Sequence, residues 1–188
     1  MMVLSPFLLL LFPKPLNIGG SPRRGLNVVL ASRSRAKLSQ LESEVVGLGV
    51  RTLIVVADFT SSNAANEVAE AVERAGIQLG VLVNNVGILG PHYQPFLDME
   101  PKLVIQEIAV ALLYTKLDFP QVVDMLTVNI TAATLLTRRL LPAMVAAGRG
   151  AVINISSSAA YHPIPYLAEY AATKHYLHAW NQVRLKPV

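Results

Sequence analysis

The sequence Tyr170-Ala171-Ala172-Thr173-Lys174 follows an apolar run that ends in Asn154-Ile155-Ser156-Ser157-Ser158. On a helix, a tyrosine and a lysine four residues apart lie on one face, with Cβ atoms roughly 5 to 6 Å apart. An ammonium at that distance favours the phenolate form, which makes proton exchange by the phenol practicable near neutral pH. The hydroxyl of Ser157, at the end of the preceding strand, is placed to hold a carbonyl oxygen beside the phenol. This pattern predicts the reduction of a carbonyl group or the reverse oxidation of an alcohol.

Apolar strands alternate with helical segments along most of the chain. The hydrophobic pattern predicts strands at 26–31, 51–57, 79–83 and 151–155, and helices at about 35–48, 62–75, 122–147 and 167–185. Pro142 is expected to kink or interrupt the third helix. Strands separated by crossover helices indicate an α/β fold with a doubly wound, mostly parallel sheet covered on both faces.

Polar residues follow each predicted strand. Ser32 and Arg33 follow the first, Asp58 the second, 84–87 the third and 156–158 the fourth. Because ligands bind at the carboxyl ends of the strands in such sheets, we expect these residues to line one binding edge.

The composition limits the classes of function. The 188-residue chain has 53% hydrophobic and 15% charged residues, which predicts one globular domain. It has no cysteine, and its four histidines lack metal-ligand spacing, so no metal site is predicted. The formal charge is +4, but the basic residues are scattered apart from a small cluster at 23–35. We therefore expect no nucleic acid partner.

Residues 1–22 contain a short apolar run, Met2 to Phe12, ended by Pro13-Lys14-Pro15. The run is too short to span a bilayer, which needs about 20 residues, and it lacks the basic start and the cleavage site of a signal peptide. We expect residues 1–22 to lie outside the recognisable fold and to contact a membrane. Residues 23–188 are expected to form the domain.

Several motifs in order resemble the short-chain dehydrogenase/reductase family. They are L-V-N-N-V-G at 82–87, T-V-N at 127–129, the strand at 151–155, and Tyr170 with Lys174. The stretch at 25–35 and the N-N-V-G variant resemble the branch of 17β-hydroxysteroid dehydrogenases and microsomal very-long-chain 3-oxoacyl-CoA reductases, which act in lipid metabolism. The resemblance implies an incomplete Rossmann-like fold, a hydrophobic substrate such as a steroid or a long-chain 3-oxoacyl-CoA, and residence at the endoplasmic reticulum membrane or in the cytoplasm.

The residue after the first strand indicates the cofactor. An acid there would bond a ribose 2′-hydroxyl, whereas an arginine accommodates a 2′-phosphate. This chain has Ser32-Arg33, with Arg35 as a second cation. NADP is therefore favoured over NAD. Asp58 resembles the family's contact to the adenine amino group; the alternative is a turn-forming aspartate.

The resemblance also implies roles for other residues. Asn84, Asn85 and Gly87 would contact the cofactor, although a structural role for them is at least as plausible. Asn129 would be the catalytic asparagine that holds a water in a proton relay, and Lys174 would bond the nicotinamide ribose. Catalysis would then use Asn129, Ser157, Tyr170 and Lys174.

Three departures from the family pattern stand out. Asn17 to Gly25 read N-I-G-G-S-P-R-R-G, which lacks the spacing of the family's glycine-rich phosphate turn. Residues 104–121 look like an insertion, and the family's last strands do not follow Pro187-Val188, so the chain resembles a member truncated at both ends. We expect this form to be weakly active or inactive. The alternative is a catalytically inactive relative that acts as a binding or dimerisation module, and a folded form is expected to be a homo-oligomer.

Overall fold

A five-stranded sheet forms the centre of the protein in the computed structural model, which describes residues 8–13, 26–47, 51–89, 119–162 and 167–183. The strands lie in the order β3-β2-β1-β4-β5. They are β1 (Leu8–Pro13), β2 (Leu26–Ser32), β3 (Thr52–Val56), β4 (Val81–Asn84) and β5 (Ala151–Asn154). The helices are α1 (Arg35–Val46), α2 (Ala64–Arg74), α3 (Phe119–Leu126), α4 (Ala132–Ala146) and α5 (Ala168–Gln182).

Four of the five strands run in the same direction. β2 pairs with β3 and β4 pairs with β5 in parallel, and β1 is antiparallel to both β2 and β4, so β2 and β4 are parallel to each other. Four consecutive residues of β2, Val28 to Ala31, are buried, as expected for a parallel strand covered on both faces. The expected α/β class and the mostly parallel, doubly wound sheet are confirmed.

The N-terminal apolar run lies inside the sheet. Leu8 pairs with Ala31 and Pro13 with Leu26, while Leu9 pairs with Val83 on the other side. The prediction that residues 1–22 lie outside the fold and contact a membrane is therefore wrong for Leu8–Pro13; the rest of that segment lies outside the described residues.

Simple polymer geometry accounts for both the pairing and its direction. A short apolar run satisfies its backbone groups by pairing with two strands at once, which a membrane-surface segment does not. Pro13 at the end of β1 faces Leu26 at the start of β2, so the connected ends of the two strands lie at one edge of the sheet, as in an antiparallel pair of consecutive strands.

Helices cover both faces of the sheet. On one face, α2 and α4 pack together over the main core, which includes Val29, Val68, Leu82 and Leu136. On the other face, Leu38 of α1 packs against Val28 and Leu30 in a smaller cluster. The helix α5 packs beside β5, α3 and the turn that follows β5.

The long helical segment predicted at 122–147 extends over Phe119–Ala146. Helix α4 continues through Pro142, so the expected interruption there is wrong. The α-helical pattern instead changes at a π-helical turn, Thr127–Thr131, which lies between α3 and α4. Of the suspected insertion, 104–118 lies outside the described residues, and 119–121 begin α3.

By length and composition alone, Phe119–Ala146 could cross a membrane. Core helices satisfy the same criterion. Here the apolar residues Met125, Val128, Leu136 and Leu140 are buried in the protein. Packing within the domain therefore accounts for part of the hydropathy of this segment, whereas Phe119, Val123 and Leu126 are exposed.

Candidate active site

The carboxyl ends of β2, β3, β4 and β5 meet at one edge of the sheet, because these four strands run in the same direction. The residues at the ends of the strands are brought together there. They are Ser32 at the end of β2 with Arg33 after it, Asp58 after β3, Asn84 at the end of β4 with 85–87 after it, and Ser157 after β5. Such an edge is where doubly wound sheets bind ligands.

Tyr170 and Lys174 lie one turn apart on α5, as their spacing predicts. The Lys174 Nζ atom is 5.8 Å from the centroid of the Tyr170 ring. Lys174 is only 3% exposed, and its Nζ donates a hydrogen bond of 2.9 Å to the carbonyl oxygen of Ile155. Tyr170 is half-buried. The ammonium is thus fixed between the end of β5 and the phenol.

Asn129 is fully buried in the π-helical turn and connects three parts of the site. Its Oδ1 accepts a hydrogen bond of 2.8 Å from the Ile88 amide, and its Nδ2 donates to the Ile88 carbonyl and to Thr173 Oγ1, each at 3.0 Å. Thr173 Oγ1 in turn donates to the Tyr170 carbonyl at 2.7 Å. The π turn, the segment after β4 and the tyrosine helix are therefore held in one arrangement.

Gly87 lies against both Lys174 and Asn129. A Cβ atom at position 87 would be 3.1 Å from Lys174 Nζ and 3.4 Å from Asn129 Oδ1. A methyl group there would push against the ammonium, so glycine leaves room for the lysine. Gly87 thus has a packing role in this arrangement, next to the predicted catalytic residues.

Ser157 stands at the start of a short 3-10 turn, Ser158–Ala160, that packs against α5. Its Oγ accepts a hydrogen bond of 3.2 Å from the Ala159 amide. In the part of the chain that the structure describes, no hydrogen bond joins Ser157 to Tyr170. The hydroxyl proton of Ser157 thus remains available for a carbonyl oxygen.

A small open cleft of about 40 Å³ lies at the ends of β2 and β3. It is lined by Ser32, Arg33, Ala57, Asp58, Phe59, Thr60, Val86, Ile88 and Val128. Arg33 is exposed at its rim, whereas Ser32 is buried. Asp58 Oδ1 accepts hydrogen bonds from the Thr60 amide at 3.0 Å and the Thr60 hydroxyl at 2.9 Å. This turn-forming interaction is the alternative that the sequence leaves open for Asp58.

Asn84 joins β4 to its neighbours. Its Nδ2 donates to Thr137 Oγ1 at 3.1 Å and to Asn154 Oδ1 at 2.7 Å, and Asn154 Nδ2 donates to Asn181 Oδ1 at 2.9 Å. The amide ladder ties β4 and β5 to α4 and α5. Asn84 therefore has a structural role, while the half-buried Asn85 and Gly87 lie further toward the open edge.

The two histidines on α5 form hydrogen bonds with the turn after β5. His178 Nδ1 is hydrogen-bonded to the Tyr161 hydroxyl, and His175 Nδ1 contacts the Ala160 carbonyl at 3.1 Å. Within the described ranges, no group of three or more histidine, aspartate or glutamate side chains is placed to hold a metal ion.

The sequence profile of the short chain dehydrogenase family matches residues 22–184. The chain belongs to this family. The resemblance expected from its motifs is confirmed, and so is the fold class.

Similar proteins include a very-long-chain 3-oxoacyl-CoA reductase and a hydroxysteroid dehydrogenase-like protein. A bovine (Bos taurus) very-long-chain 3-oxoacyl-CoA reductase is 35% identical over 162 residues, 85% of this chain and 46% of that protein. The orangutan (Pongo abelii) "Inactive hydroxysteroid dehydrogenase-like protein 1" is 36% identical over 156 residues, 82% of this chain and 41% of that protein. The chain thus spans about half the length of these curated relatives.

A solved structure of a metagenomic short-chain oxidoreductase in complex with NADP shares the fold. The two chains superpose with a TM-score of 0.64 at 34% sequence identity, over 83% of this chain and 62% of that one.

Two residues at the edge of this short-chain dehydrogenase were not singled out from the sequence. Ser156 Oγ donates to the Lys174 carbonyl at 2.7 Å, and the fully buried Thr173 joins Asn129 to Tyr170. In the sequence, the features that could have indicated these residues are the run of three serines and the threonine between the tyrosine and the lysine. Only the folded positions show that both fix helix α5.

Burial lowers the pKa of the Lys174 ammonium below its ordinary value of 10.5, because desolvation disfavours the charged form. Between the lowered folded pKa and 10.5, the unfolded chain binds more protons than the folded one. The free energy of unfolding should therefore rise with pH in that window. This gain in stability is lost as the pH falls through the folded pKa.

As the pH is raised from 7 to 10, we expect the free energy of unfolding of wild type to increase relative to that of Lys174→Met, because methionine does not titrate. Urea unfolding at several pH values measures the difference. The matched control is Lys37→Met at an exposed position on α1, for which the difference from wild type should stay within about 0.5 kcal/mol. A difference between wild type and Lys174→Met that does not change with pH would contradict the assignment.

Proposed function

We propose that this chain is an NADPH-dependent oxidoreductase that reduces a carbonyl group, or oxidises the corresponding alcohol, in a hydrophobic substrate such as a steroid or a long-chain 3-oxoacyl-CoA. The observation that carries the proposal is the joint position of Tyr170 and Lys174 on α5. Asn129 connects this helix to Ile88, which lines the cleft at the ends of β2 and β3. Similarity to the bovine very-long-chain 3-oxoacyl-CoA reductase supports the substrate class.

Each side chain has a distinct role in this proposal. Tyr170 donates its hydroxyl proton to the carbonyl oxygen, and the Ser157 hydroxyl holds that oxygen by a hydrogen bond. Lys174 stabilises the phenolate left on Tyr170. Asn129 keeps α5 and the segment after β4 in register and serves the proton relay to the lysine.

The residues at the two ends of the site fit an NADP molecule. At one end, Arg33 at the rim of the cleft, with Arg35 nearby, would bind the 2′-phosphate, while Ser32 and Asp58 line the adenosine position. At the other end, Lys174 would bond the nicotinamide ribose, with Asn84, Asn85 and Gly87 between them. Bound NADPH would supply the hydride.

The test is thermal unfolding with and without cofactor. NADPH at millimolar concentration should raise the melting temperature of the wild-type chain, and NADH should raise it less. Arg33→Ala should remove most of the NADPH effect. The control is Arg138→Ala, an exposed position on α4 that lies 10 residues, or about 15 Å, along the helical segment from Val128 of the cleft. If NADPH does not shift the melting temperature, the proposal that this chain is an enzyme is wrong.

Two observations favour the alternative function, an inactive relative that acts as a binding or dimerisation module. One is the similarity to the orangutan inactive hydroxysteroid dehydrogenase-like protein. The other is the exposed apolar stripe Phe119, Val123 and Leu126 on α3, in which Phe119 is 82% exposed. The homo-oligomer expected from the resemblance would use such a face. Concentration-dependent sedimentation without any NADPH effect on melting temperature would support this alternative.

We also propose residence at the endoplasmic reticulum membrane or in the cytoplasm, the location implied by the resemblance. The hydrophobic substrate class and the apolar composition support it. Because Leu8–Pro13 is engaged in the sheet, membrane association through that run is not part of the proposal.

A further inference from the structure

The hydroxyl of Thr173 both donates and accepts a hydrogen bond inside the protein. Thr173 is fully buried on α5, and its Oγ1 donates to the Tyr170 carbonyl at 2.7 Å and accepts from Asn129 Nδ2 at 3.0 Å. A carbonyl oxygen only accepts hydrogen bonds, so the single hydroxyl proton is used on Tyr170 and the asparagine must be the donor. The directions of both hydrogen bonds are therefore fixed by the chemistry of the groups.

The asparagine extends this connection to the cleft. Asn129 Oδ1 accepts from the Ile88 amide at 2.8 Å, and Nδ2 also donates to the Ile88 carbonyl at 3.0 Å. Ile88 lines the cleft at the ends of β2 and β3. Thr173 therefore completes a hydrogen-bonded path that runs from the cleft wall through Asn129 to the backbone of Tyr170.

The lysine on the next turn of α5 is held to the segment that follows β5. Ser156 Oγ donates to the Lys174 carbonyl at 2.7 Å, and Lys174 Nζ donates to the Ile155 carbonyl at 2.9 Å. Neither hydrogen bond involves Thr173, so both remain if its hydroxyl is removed. Such a change would leave the lysine in place and would break the path between the cleft and Tyr170.

We infer that Thr173 is a positioning residue for the proposed reaction: its hydroxyl holds the turn of α5 that begins at Tyr170 against the cleft, so that the phenol meets a carbonyl group beside the bound cofactor. The inference rests on the proposed function, since it concerns the placement of the same proton donor. The hydroxyl is required for this role, whereas the methyl group is not. A displacement of about 1 Å is enough to lower a rate by about 100-fold.

The experiment compares two pairs of proteins that differ by this hydroxyl: wild type with Thr173→Val, and Thr173→Ser with Thr173→Ala. Oxidation of NADPH is measured with a steroid ketone and with a long-chain 3-oxoacyl-CoA. We expect kcat to fall about 10 to 100-fold in the valine and alanine variants and to stay within about threefold of wild type in the serine variant. The KM for the carbonyl substrate and the rise in melting temperature with NADPH should stay close to wild type, because Asn129 keeps its hydrogen bonds to Ile88.

Thr134→Val is the matched control, because it makes the same chemical change on the neighbouring helix α4. The Thr134 hydroxyl also donates to a carbonyl in its own helical segment, that of Ile130 at 2.9 Å, and it contacts Tyr176 rather than Tyr170. This variant should keep the kcat of wild type. If Thr173→Val does not fold, the comparison of Thr173→Ser with Thr173→Ala still measures the effect of the hydroxyl.

The outcomes separate this inference from the proposed function. A wild-type kcat in Thr173→Val, or equal losses in Thr173→Ser and Thr173→Ala, overturns the inference and leaves the proposed function standing. Loss of the NADPH effect on melting temperature in Thr173→Val also overturns it, because the hydroxyl would then support the cofactor site rather than Tyr170. Absence of turnover of both substrates by wild type overturns the inference and the proposed function together.

Discussion

Tyr170→Phe is expected to lower the rate of ketone-dependent NADPH oxidation by about 10² to 10⁴-fold, the range for removal of a general acid. In the proposed function the phenol gives its proton to the carbonyl oxygen; Lys174 Nζ lies 5.8 Å from the centroid of its ring. The melting temperature should stay close to that of wild type. The ring remains, and the Tyr170 hydroxyl makes no hydrogen bond within the described part of the chain.

Tyr176→Phe is the matched control, because it removes the same hydroxyl from the same helix. Tyr176 is exposed, and its hydroxyl contacts Thr134 Oγ1 at 3.0 Å, away from Lys174. This variant should keep the wild-type rate, measured as NADPH absorbance with a bulky ketone over long incubation. Equal losses in both variants, or wild-type turnover by Tyr170→Phe, would exclude Tyr170 as the proton donor.

Local patterns in the sequence predicted most of the elements that build the site. The helical spacing of Tyr170 and Lys174 places both on one face of α5, and the runs of apolar residues predicted β2 to β5 within one to two residues of their observed ends. Parallel strands run in the same direction, so their carboxyl ends lie at one edge of the sheet. The residues after those strands are therefore brought together there.

Such patterns did not predict the position of β1. A run of four leucines and a phenylalanine is apolar in every register, so it does not distinguish a strand from a membrane-contacting segment. Its pairing with both β2 and β4 joins residues that are distant in sequence. The place between these two strands is defined only when the sheet has formed.

Hydrogen bonds between elements were likewise not readable from the sequence. The hydrogen bond from Lys174 to the Ile155 carbonyl and those from Asn129 to Ile88 and Thr173 depend on the final side-chain positions. The sequence predicted that Pro142 would kink or interrupt its helix. Pro142 lies on the exposed surface of α4, and the helix continues through it.

Asn129 is the residue whose loss should destabilise the site most. Asn129→Ala removes three hydrogen bonds at once and leaves the Ile88 amide without its acceptor in the buried π turn. We expect the free energy of unfolding to fall by about 2 to 4 kcal/mol, because each buried polar group left unsatisfied costs about 1 to 3 kcal/mol. Urea unfolding with a common slope for both proteins measures the change.

A second variant separates lost hydrogen bonds from lost volume. Asn129→Leu fills the space but still leaves the Ile88 amide unpaired, so it should be destabilised nearly as much as Asn129→Ala. The control is Asn66→Ala, an exposed asparagine on α2 with one hydrogen bond of 3.3 Å, which should cost about 0.5 kcal/mol or less. Wild-type stability of Asn129→Leu would mean that packing, rather than these hydrogen bonds, holds α5 against the segment after β4. In that case Thr173 and Lys174 would keep their positions without Asn129.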